Sequence, residues 1–341
     1  MSGFYKLKAT PETVTWGYFD NSTKPHVRVK PGDIVEIESL CHHAGDAPDY
    51  LMDEGVEAVY KAIPESERAP GVHLVTGPVY IEGVKPGDVL EAKILDMWPR
   101  IPYGVNFEAN WGMLYNDFKQ ERATIFSADV ESGLAKAEFS YLYNKFCDKP
   151  GRITAPGEVP RDKTFLKDIY IPLRMHFGIA GVGPKEPGRI NTNPPASFGG
   201  NVDNRNFVKG CSTYYPVTMD GGLFYCGDSH FTQGDGEING TAIEGHVTGL
   251  VQFFIRNDIK LGKNPVLETP VYYIVHGLGE DLELAMRDCT FEALGFLQEN
   301  KGLRREEAYA LLAIAGDFHV TQVVNGTKGI HCRIRKDLFV K

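Results

Sequence analysis

The sequence predicts a mainly β protein with a β-sandwich-like core, an irregular insertion and a C-terminal helical hairpin. Glycine and proline are frequent, at 37 and 21 of 341 residues, and most apolar runs are short and end at turn residues, as in all-β folds. A turn sequence also recurs, because Val29–Glu36 and Val84–Glu91 both begin with Val-Lys-Pro-Gly-Asp and continue as a strand-like run. We expect one domain that spans residues 1–341.

The composition excludes several classes of protein. Hydrophobic residues make up 42% of the chain and charged residues 24%, which is typical of a globular protein. The formal net charge of −9 argues against a nucleic-acid partner, because the phosphates would be repelled. The first residues lack the apolar core of a secretory signal, and no apolar run is long enough for a membrane span. We therefore expect a cytoplasmic protein without a membrane partner.

Between the strand-like runs, residues 49–60 have helical spacing after an acidic start. Residues 104–165 show no clear period and are interpreted as the irregular insertion, which includes a few strands. Its aromatic residues either line a pocket or, as the alternative, pack the insertion onto the main body: Tyr103, Phe107, Trp111 and Tyr115.

The C-terminal helical hairpin is predicted over about residues 280–316. Between residues 280 and 300 the apolar positions follow a helical stripe that includes Met286. A second helix is predicted from Leu303 to Ala315, with Glu306 and Glu307 in its first turn. Gly302 lies between the two helices, where a left-handed residue commonly ends a helix.

Residues 222–244 carry the highest density of candidate site residues. A strand-like run precedes Asp228 and His230. On an extended backbone their side chains point to the same face, because they are two positions apart. Glu237 and Glu244 follow among glycines. Carboxylates and imidazoles in a bendable backbone suit a metal such as Zn²⁺, whose oxygen and nitrogen ligands lie at about 2 Å. A glycine-rich turn with a surface histidine is the alternative.

Two further polar clusters support a site. Asn201 and Asp203 lie in the segment Gly-Gly-Asn-Val-Asp, for which an Asx turn is the alternative. Residues 41–46 read Cys-His-His-Ala-Gly-Asp and follow a strand-like run. The two histidines are adjacent, so on a strand only one of them faces a given site.

Four blocks of the chain occur in a characteristic order: Thr76–Leu90, Ile171–Arg174 with Gly178–Val182, Gly199–Asp203 and Gly227–Glu237. With these blocks, the segment from Pro25 to Lys336 resembles the acetamidase/formamidase family of amide hydrolases. The resemblance implies cleavage of a carbon–nitrogen bond other than a peptide bond, and it is compatible with a metal site. Many members of that family carry Asp-x-x-Gly-Gly-Gln where this chain has residues 41–46, so another small linear or cyclic amide is expected as the substrate.

The residue types allow a division of roles, with zinc-activated water as the expected nucleophile. The expected metal ligands are Asp228 and His230, joined by His43 or Asp46. Glu244 or Glu237 is the expected general base and acid, and Asn201 and Asp203 are expected to fix the substrate or support a ligand. The expected ion is Zn²⁺, with Ca²⁺ as the alternative, and the expected assembly is a homo-oligomer.

Other readings of the same residues stay open. A nucleophilic Cys41 and a serine triad through Ser229 are both disfavoured, because residues adjacent to a histidine rarely face it. The six cysteines are scattered without a Cys-x-x-Cys pair, which indicates reduced thiols. His73 and His176 are interpreted as structural histidines. A non-catalytic β-sandwich module that holds Ca²⁺ and a small polar ligand is the rival function.

Overall fold

The computed structural model of the chain describes residues 2–143 and 151–339; Cys147 lies outside the described residues. The first strands are β1 (Phe4–Leu7), β2 (Val14–Trp16), β3 (Tyr18–Phe19), β4 (Val27–Val29), β5 (Ile34–Ser39), β6 (Leu74–Ile81), β7 (Val89–Glu108), β8 (Arg122–Asp129), β9 (Leu134–Leu142) and β10 (Tyr170–Pro172). They continue with β11 (His176–Gly181), β12 (Ile190–Asn191), β13 (Pro195–Ala196), β14 (Gly199–Asn201), β15 (Ser212–Pro216), β16 (Phe224–Thr232), β17 (Ile243–Arg256), β18 (Val266–Glu268), β19 (Tyr272–Gly279), β20 (Gly316–Gln322) and β21 (Lys328–Arg335). The helices are α1 (Pro48–Leu51), α2 (Glu54–Ala62), α3 (Tyr115–Phe118), α4 (Leu282–Lys301) and α5 (Arg305–Ala315).

The strands other than β3 and β12 join one large curled sheet, in which most pairs are antiparallel. Strand β17 pairs with β5 on one side and with β7 on the other. Strand β16 pairs with β11, β6 and β17. This arrangement confirms the predicted mainly β fold. It also places β16, which carries the predicted site residues, between strands from distant parts of the sequence.

The recurring turn sequence forms the same structure twice. Asp33 accepts a hydrogen bond from the backbone N–H of Lys30 at 2.8 Å, and Asp88 accepts one from the N–H of Lys85 at 2.8 Å. In each turn the aspartate N–H also donates to the lysine carbonyl, at 3.0 Å. The Pro-Gly pair thus reverses the chain while the aspartate closes the turn and starts the next strand.

The C-terminal hairpin forms as predicted, because α4 and α5 are separated by Gly302, whose φ of 67° is left-handed. Asp281 caps α4 by accepting from the N–H of Leu284 at 2.8 Å. Ala285 and Cys289 are fully buried against β19 and β21. The prediction that Met286 belongs to the buried stripe was wrong: its side chain is 38% exposed, since it lies one residue beyond the face that packs on the sheet.

The two other segments that interrupt the predicted strands also contain regular structure. The helix predicted over residues 49–60 is split into α1 and α2, where Asp53 caps α2 by accepting from the N–H of Val56 at 2.8 Å. The insertion contains β8 and β9, and the long strand β7 leads into it from the main sheet. Its predicted limits, about 104 and 165, stay a prediction.

Among the described residues, no helix is both long and apolar enough to cross a membrane.

Candidate functional site

A cavity of about 560 Å³ brings together the three polar clusters of the sequence. Its wall includes His42, His43, Asp46, His73, Asn201, Asp203, Asp228, Glu237 and Glu244. The segment of residues 42–46 therefore meets the segment of residues 227–237, as expected if both contribute to one site. The histidines and carboxylates of this wall are buried, at most 9% exposed.

Cross-strand register brings His230, His176 and Glu244 together. His230 on β16 lies directly opposite His176 on β11 and opposite Glu244 on β17. Directly opposed residues on neighbouring strands have side chains in contact. As a result, His230 Nε2 lies 3.2 Å from Glu244 Oε2 and its Nδ1 lies 3.1 Å from His176 Nε2.

Asp228 reaches the same point by a different route from the one predicted. Its backbone is left-handed, with a φ of 46°, instead of extended. Its Oδ2 nevertheless lies 3.5 Å from His230 Nε2 and 3.7 Å from His73 Nε2. Asp203 and Glu237 share this backbone conformation, with φ values of 50° and 46°, so three of the carboxylates around the cavity are held in a region that side chains seldom adopt.

A chain of hydrogen bonds fixes the orientation of the His230 ring. Burial lowers the pKa of His176 to about 3, so this ring is neutral. Its Nδ1 lies 2.8 Å from the carbonyl oxygen of Arg174, and its Nε2 lies 2.9 Å from Gln233 Oε1. The side-chain amide of Gln233 donates to the carbonyl of Asp203 at 2.8 Å, and its Oε1 lies 3.0 Å from His230 Nδ1. His230 Nδ1 is thus the donor, and its Nε2 faces the two carboxylates.

The two carboxylates beside His230 favour a positive charge at this Nε2. Burial opposes protonation, but Glu244 and Asp228 raise the pKa of His230 well above its usual range. Burial likewise opposes ionisation of Asp228, yet His73 and His230 hold its pKa well below the usual range. A proton or a metal cation at this position would balance the two carboxylates.

Burial is the main cause of raised pKa values at three further carboxyl groups. It raises the pKa of Asp203 to about 8, and the nearby Asp228 adds to this rise. It also raises the pKa of Glu237 well above its usual range, with Asp203 as the second cause. The pKa of Glu244 is raised by burial and opposed by His230. Buried carboxyl groups with raised pKa values are suited to accept and release protons near neutral pH.

The donor atoms fit a divalent metal. His42, His73 and Asp228 each offer a ligand atom, and these atoms lie within 4.8 Å of one another. A second such group, Asp203, Asp228 and His230, shares Asp228 with the first. Two imidazoles and a carboxylate form a donor set that is typical of zinc hydrolases.

Unsatisfied polar atoms support this fit. Within the described part of the chain, the buried atoms of the site without a hydrogen-bond partner include His42 Nδ1, Asn201 Oδ1 and Asp203 Oδ1. A buried polar atom without a partner costs about 1–3 kcal/mol. Such atoms around one cavity therefore indicate that the site is built to receive a polar ligand.

The two residues expected as additional ligands interact with each other. His43 Nδ1 lies 3.0 Å from Asp46 Oδ2, while Tyr143 donates its hydroxyl to Asp46 Oδ1 at 2.5 Å. Neither His43 nor Asp46 belongs to a potential ligand group among the described residues. Their predicted role as ligands stays a prediction, and the structure places His42 and His73 beside Asp228 instead.

His42 and His73 were missed for identifiable reasons. His42 and His43 are adjacent, and the sequence does not show which of the two faces Asp228. His73 lies in an apolar run before β6, which is where a structural histidine is common. Its Nδ1 is 3.1 Å from Thr192 Oγ1, a contact with a residue 119 positions away that no sequence pattern reveals. His176, which is also interpreted from the sequence as a structural histidine, is buried and contacts the backbone carbonyl of Arg174.

The geometry disfavours both alternative nucleophiles. Cys41 is 2% exposed, and burial raises the pKa of its thiol well above the usual range. Its Sγ accepts a hydrogen bond from the N–H of His43 at 3.2 Å. Ser229 donates its hydroxyl to the carbonyl of Gly245 at 2.7 Å, away from His230. Neither residue is paired with a base in the manner that nucleophilic catalysis requires.

Gly178 on β11 has no side chain, so the site residues can pack directly against its backbone. A methyl group at this position would lie 2.5 Å from Asp203 Oδ1 and 2.6 Å from His230 Cε1. We expect Gly178→Ala to lower the free energy of unfolding by about 1–3 kcal/mol, because both side chains must move. Thermal unfolding of the two proteins measures this difference.

Gly295 provides the control for that substitution. It lies within α4, and a methyl group there meets nothing within 4 Å. Gly295→Ala should stabilise the protein by about 0.5–1 kcal/mol, since alanine loses less conformational entropy in a helix. Equal melting temperatures for the two variants would contradict the close packing around Gly178.

Comparison with known proteins gives a consistent result. A profile of the Acetamidase/Formamidase family matches residues 17–188 and 186–334. A formamidase from Methylophilus methylotrophus is 24% identical over 372 residues, covering 87% of this chain and 82% of that protein. An acetamidase from Mycolicibacterium smegmatis is 32% identical over 246 residues, covering 62% of this chain and 58% of that protein. The crystal structure of an acetamidase from Bacillus halodurans matches with a TM-score of 0.75 at 25% identity, covering 98% of both chains.

Proposed function

The chain belongs to the Acetamidase/Formamidase family, and on this basis we propose that it hydrolyses the carbon–nitrogen bond of an amide to a carboxylate and ammonia with the help of a divalent metal. The observation that carries the proposal is the group His42, His73 and Asp228 beside the buried Glu244 in one cavity. It supplies a metal-ligand set and a proton acceptor within one enclosed space.

The proposed ligands are His42, His73 and Asp228, and Zn²⁺ is the ion that best suits two imidazoles and one carboxylate. Ca²⁺ is disfavoured because it binds oxygen ligands. When bound there, the ion lowers the pKa of water and polarises a carbonyl group. Asp228 also belongs to the second donor group with Asp203 and His230, so it is the ligand on which either arrangement depends.

Glu244 is the proposed general base and acid. Its buried carboxylate would accept a proton from the attacking water and deliver it to the departing nitrogen. His230 Nε2, 3.2 Å from Glu244 Oε2, would stabilise the ionised form. Gln233 and His176 orient the His230 ring and are therefore proposed as positioning residues.

Asn201 is proposed to bind the amide nitrogen of the substrate. Its side-chain N–H donates to the carbonyl of Asn193 at 3.0 Å, which fixes the amide plane. Its Oδ1 is then the buried, unpartnered acceptor in the cavity wall. An amide substrate carries the N–H donors that this acceptor lacks. Asp203, held by Asn325, would support this side of the site.

Ammonia release from a panel of linear and cyclic amides tests the proposed function. We expect hydrolysis with about one zinc per chain, and at least a ~10²-fold lower rate after metal removal by a chelator, with recovery when Zn²⁺ is returned. Full activity in the metal-free protein would exclude the metal-dependent reaction. Weakly bound calcium without hydrolysis would instead favour the binding module. The cytoplasmic location and the homo-oligomer stay predictions, and sedimentation analysis tests the latter.

A further inference from the structure

We infer that the amide substrate carries an aromatic or other bulky uncharged acyl group, which packs against a wall formed by His43, Phe107 and Trp111. This inference rests on the proposed function. It concerns the part of the cavity that lies beside the metal-ligand group and that hydrolysis itself does not require.

The size of the cavity is the first argument. Formamide and acetamide have three and four non-hydrogen atoms, so either fills the space of about two or three water molecules at ~30 Å³ each. The cavity has a volume of about 560 Å³. Cavities of roughly 300–1,000 Å³ enclose much larger ligands. A substrate that fills this one extends well beyond the amide group.

The aromatic wall is the second argument. The ring of Phe107 lies 4.9 Å from the ring of His43 and 5.5 Å from that of Trp111, with interplanar angles of 32° and 38°. All three residues line the cavity. Phe107 and Trp111 present an apolar surface, which the face of the His43 ring extends, and an aromatic group gains both burial and ring contacts against it.

Hydrogen bonds and packing hold this wall in place. His43 is bound through Nδ1 to Asp46, which also accepts the hydroxyl hydrogen of Tyr143. Phe107 is 1% exposed and packs edge-on against Tyr143, with 5.1 Å between the ring centres. A wall that is ordered before binding loses little entropy when the ligand arrives.

The remaining lining argues for an uncharged acyl group. Outside the aromatic wall, the cavity is lined by the amide side chains of Asn191, Asn193 and Asn325, together with one basic and one acidic residue, Arg152 and Glu280. No excess of positive charge is available among these residues for a carboxylate on the acyl chain. Amide side chains suit neutral polar atoms instead.

Steady-state kinetics with acetamide and phenylacetamide test the inference. We expect kcat/KM for phenylacetamide to exceed that for acetamide by at least ~10-fold. An apolar pocket favours a substrate that fills it over one that leaves it partly empty by about that factor or more. Trp111→Ala should reduce kcat/KM for phenylacetamide about tenfold more than kcat/KM for acetamide, mainly by raising KM. Trp111→Phe should recover most of the loss.

Phe118→Ala is the matched control, because Phe118 is 70% exposed on α3 and does not line the cavity. It should leave both substrates unaffected. An equal loss for both substrates in Trp111→Ala would overturn the inference, as would equal kcat/KM values in the wild type. If neither amide is hydrolysed, the proposed function fails, and calorimetric binding then decides: tighter binding of phenylacetamide than of acetamide supports the apolar wall, and equal binding overturns it.

Discussion

Asp228→Asn is expected to reduce the zinc content to background and to lower the rate of amide hydrolysis by at least ~10³-fold. This loss is expected because a bound metal ion stabilises the transition state of such a reaction by several kcal/mol. Among the described residues, Asp228 is shared by two of the potential ligand groups, one with His42 and His73 and the other with Asp203 and His230. The substitution removes its charge but keeps its size. Asparagine also tolerates the left-handed backbone at this position, with its φ of 46°, so the fold should persist. Metal analysis and ammonia release measure the two effects.

Asp168→Asn is the matched control, because Asp168 is an exposed aspartate that also has a left-handed φ, 64°. It isolates the chemistry of the site from the effect of an asparagine in that backbone conformation. Zinc content and activity should equal those of the wild type. Retention of a full equivalent of zinc in Asp228→Asn would disprove the assigned ligand.

Glu244→Gln should lower kcat by about 10²-fold or more while the fold and the metal content remain, which is the usual contribution of general acid–base catalysis. Glu244 is 3% exposed, and its backbone lies opposite His230. Glutamine has the same shape but cannot take up the proton of the attacking water. The measurement is turnover in protein whose zinc content has been verified.

Glu36→Gln on β5 serves as the control for Glu244→Gln, because Glu36 pairs with Lys6 at the surface and not with the cavity. Its turnover should be unchanged. Near-normal turnover in zinc-loaded Glu244→Gln would transfer the role to Glu237. This residue lines the same cavity, and burial raises its pKa as well.

The parts of the fold that depend on local sequence were predictable. Turn chemistry at Asp33 and Asp88, and the glycine that ends α4, act over three or four residues and are therefore visible in the sequence. The face of α4 was predicted less well, because helical periodicity does not specify where the buried stripe ends. Met286 lies at that edge and is exposed.

The candidate site was predictable only where its residues are close in sequence. Asp228 and His230 were found because they are two positions apart, although the left-handed backbone at Asp228 differs from the extended strand assumed. His73 and His176 reach the site through the pairing of distant strands. The partner strand and its register follow from tertiary packing, so a single sequence does not disclose them.

The left-handed backbone at Asp203, Asp228 and Glu237 has an evolutionary consequence. Each side chain in this region costs of order 1–2 kcal/mol relative to an ordinary conformation. Glycine, and to a lesser degree asparagine, would relieve this cost but would remove the carboxylate. Selection for heat resistance alone would therefore favour glycine or asparagine at these three positions, at the expense of the carboxylates that line the cavity.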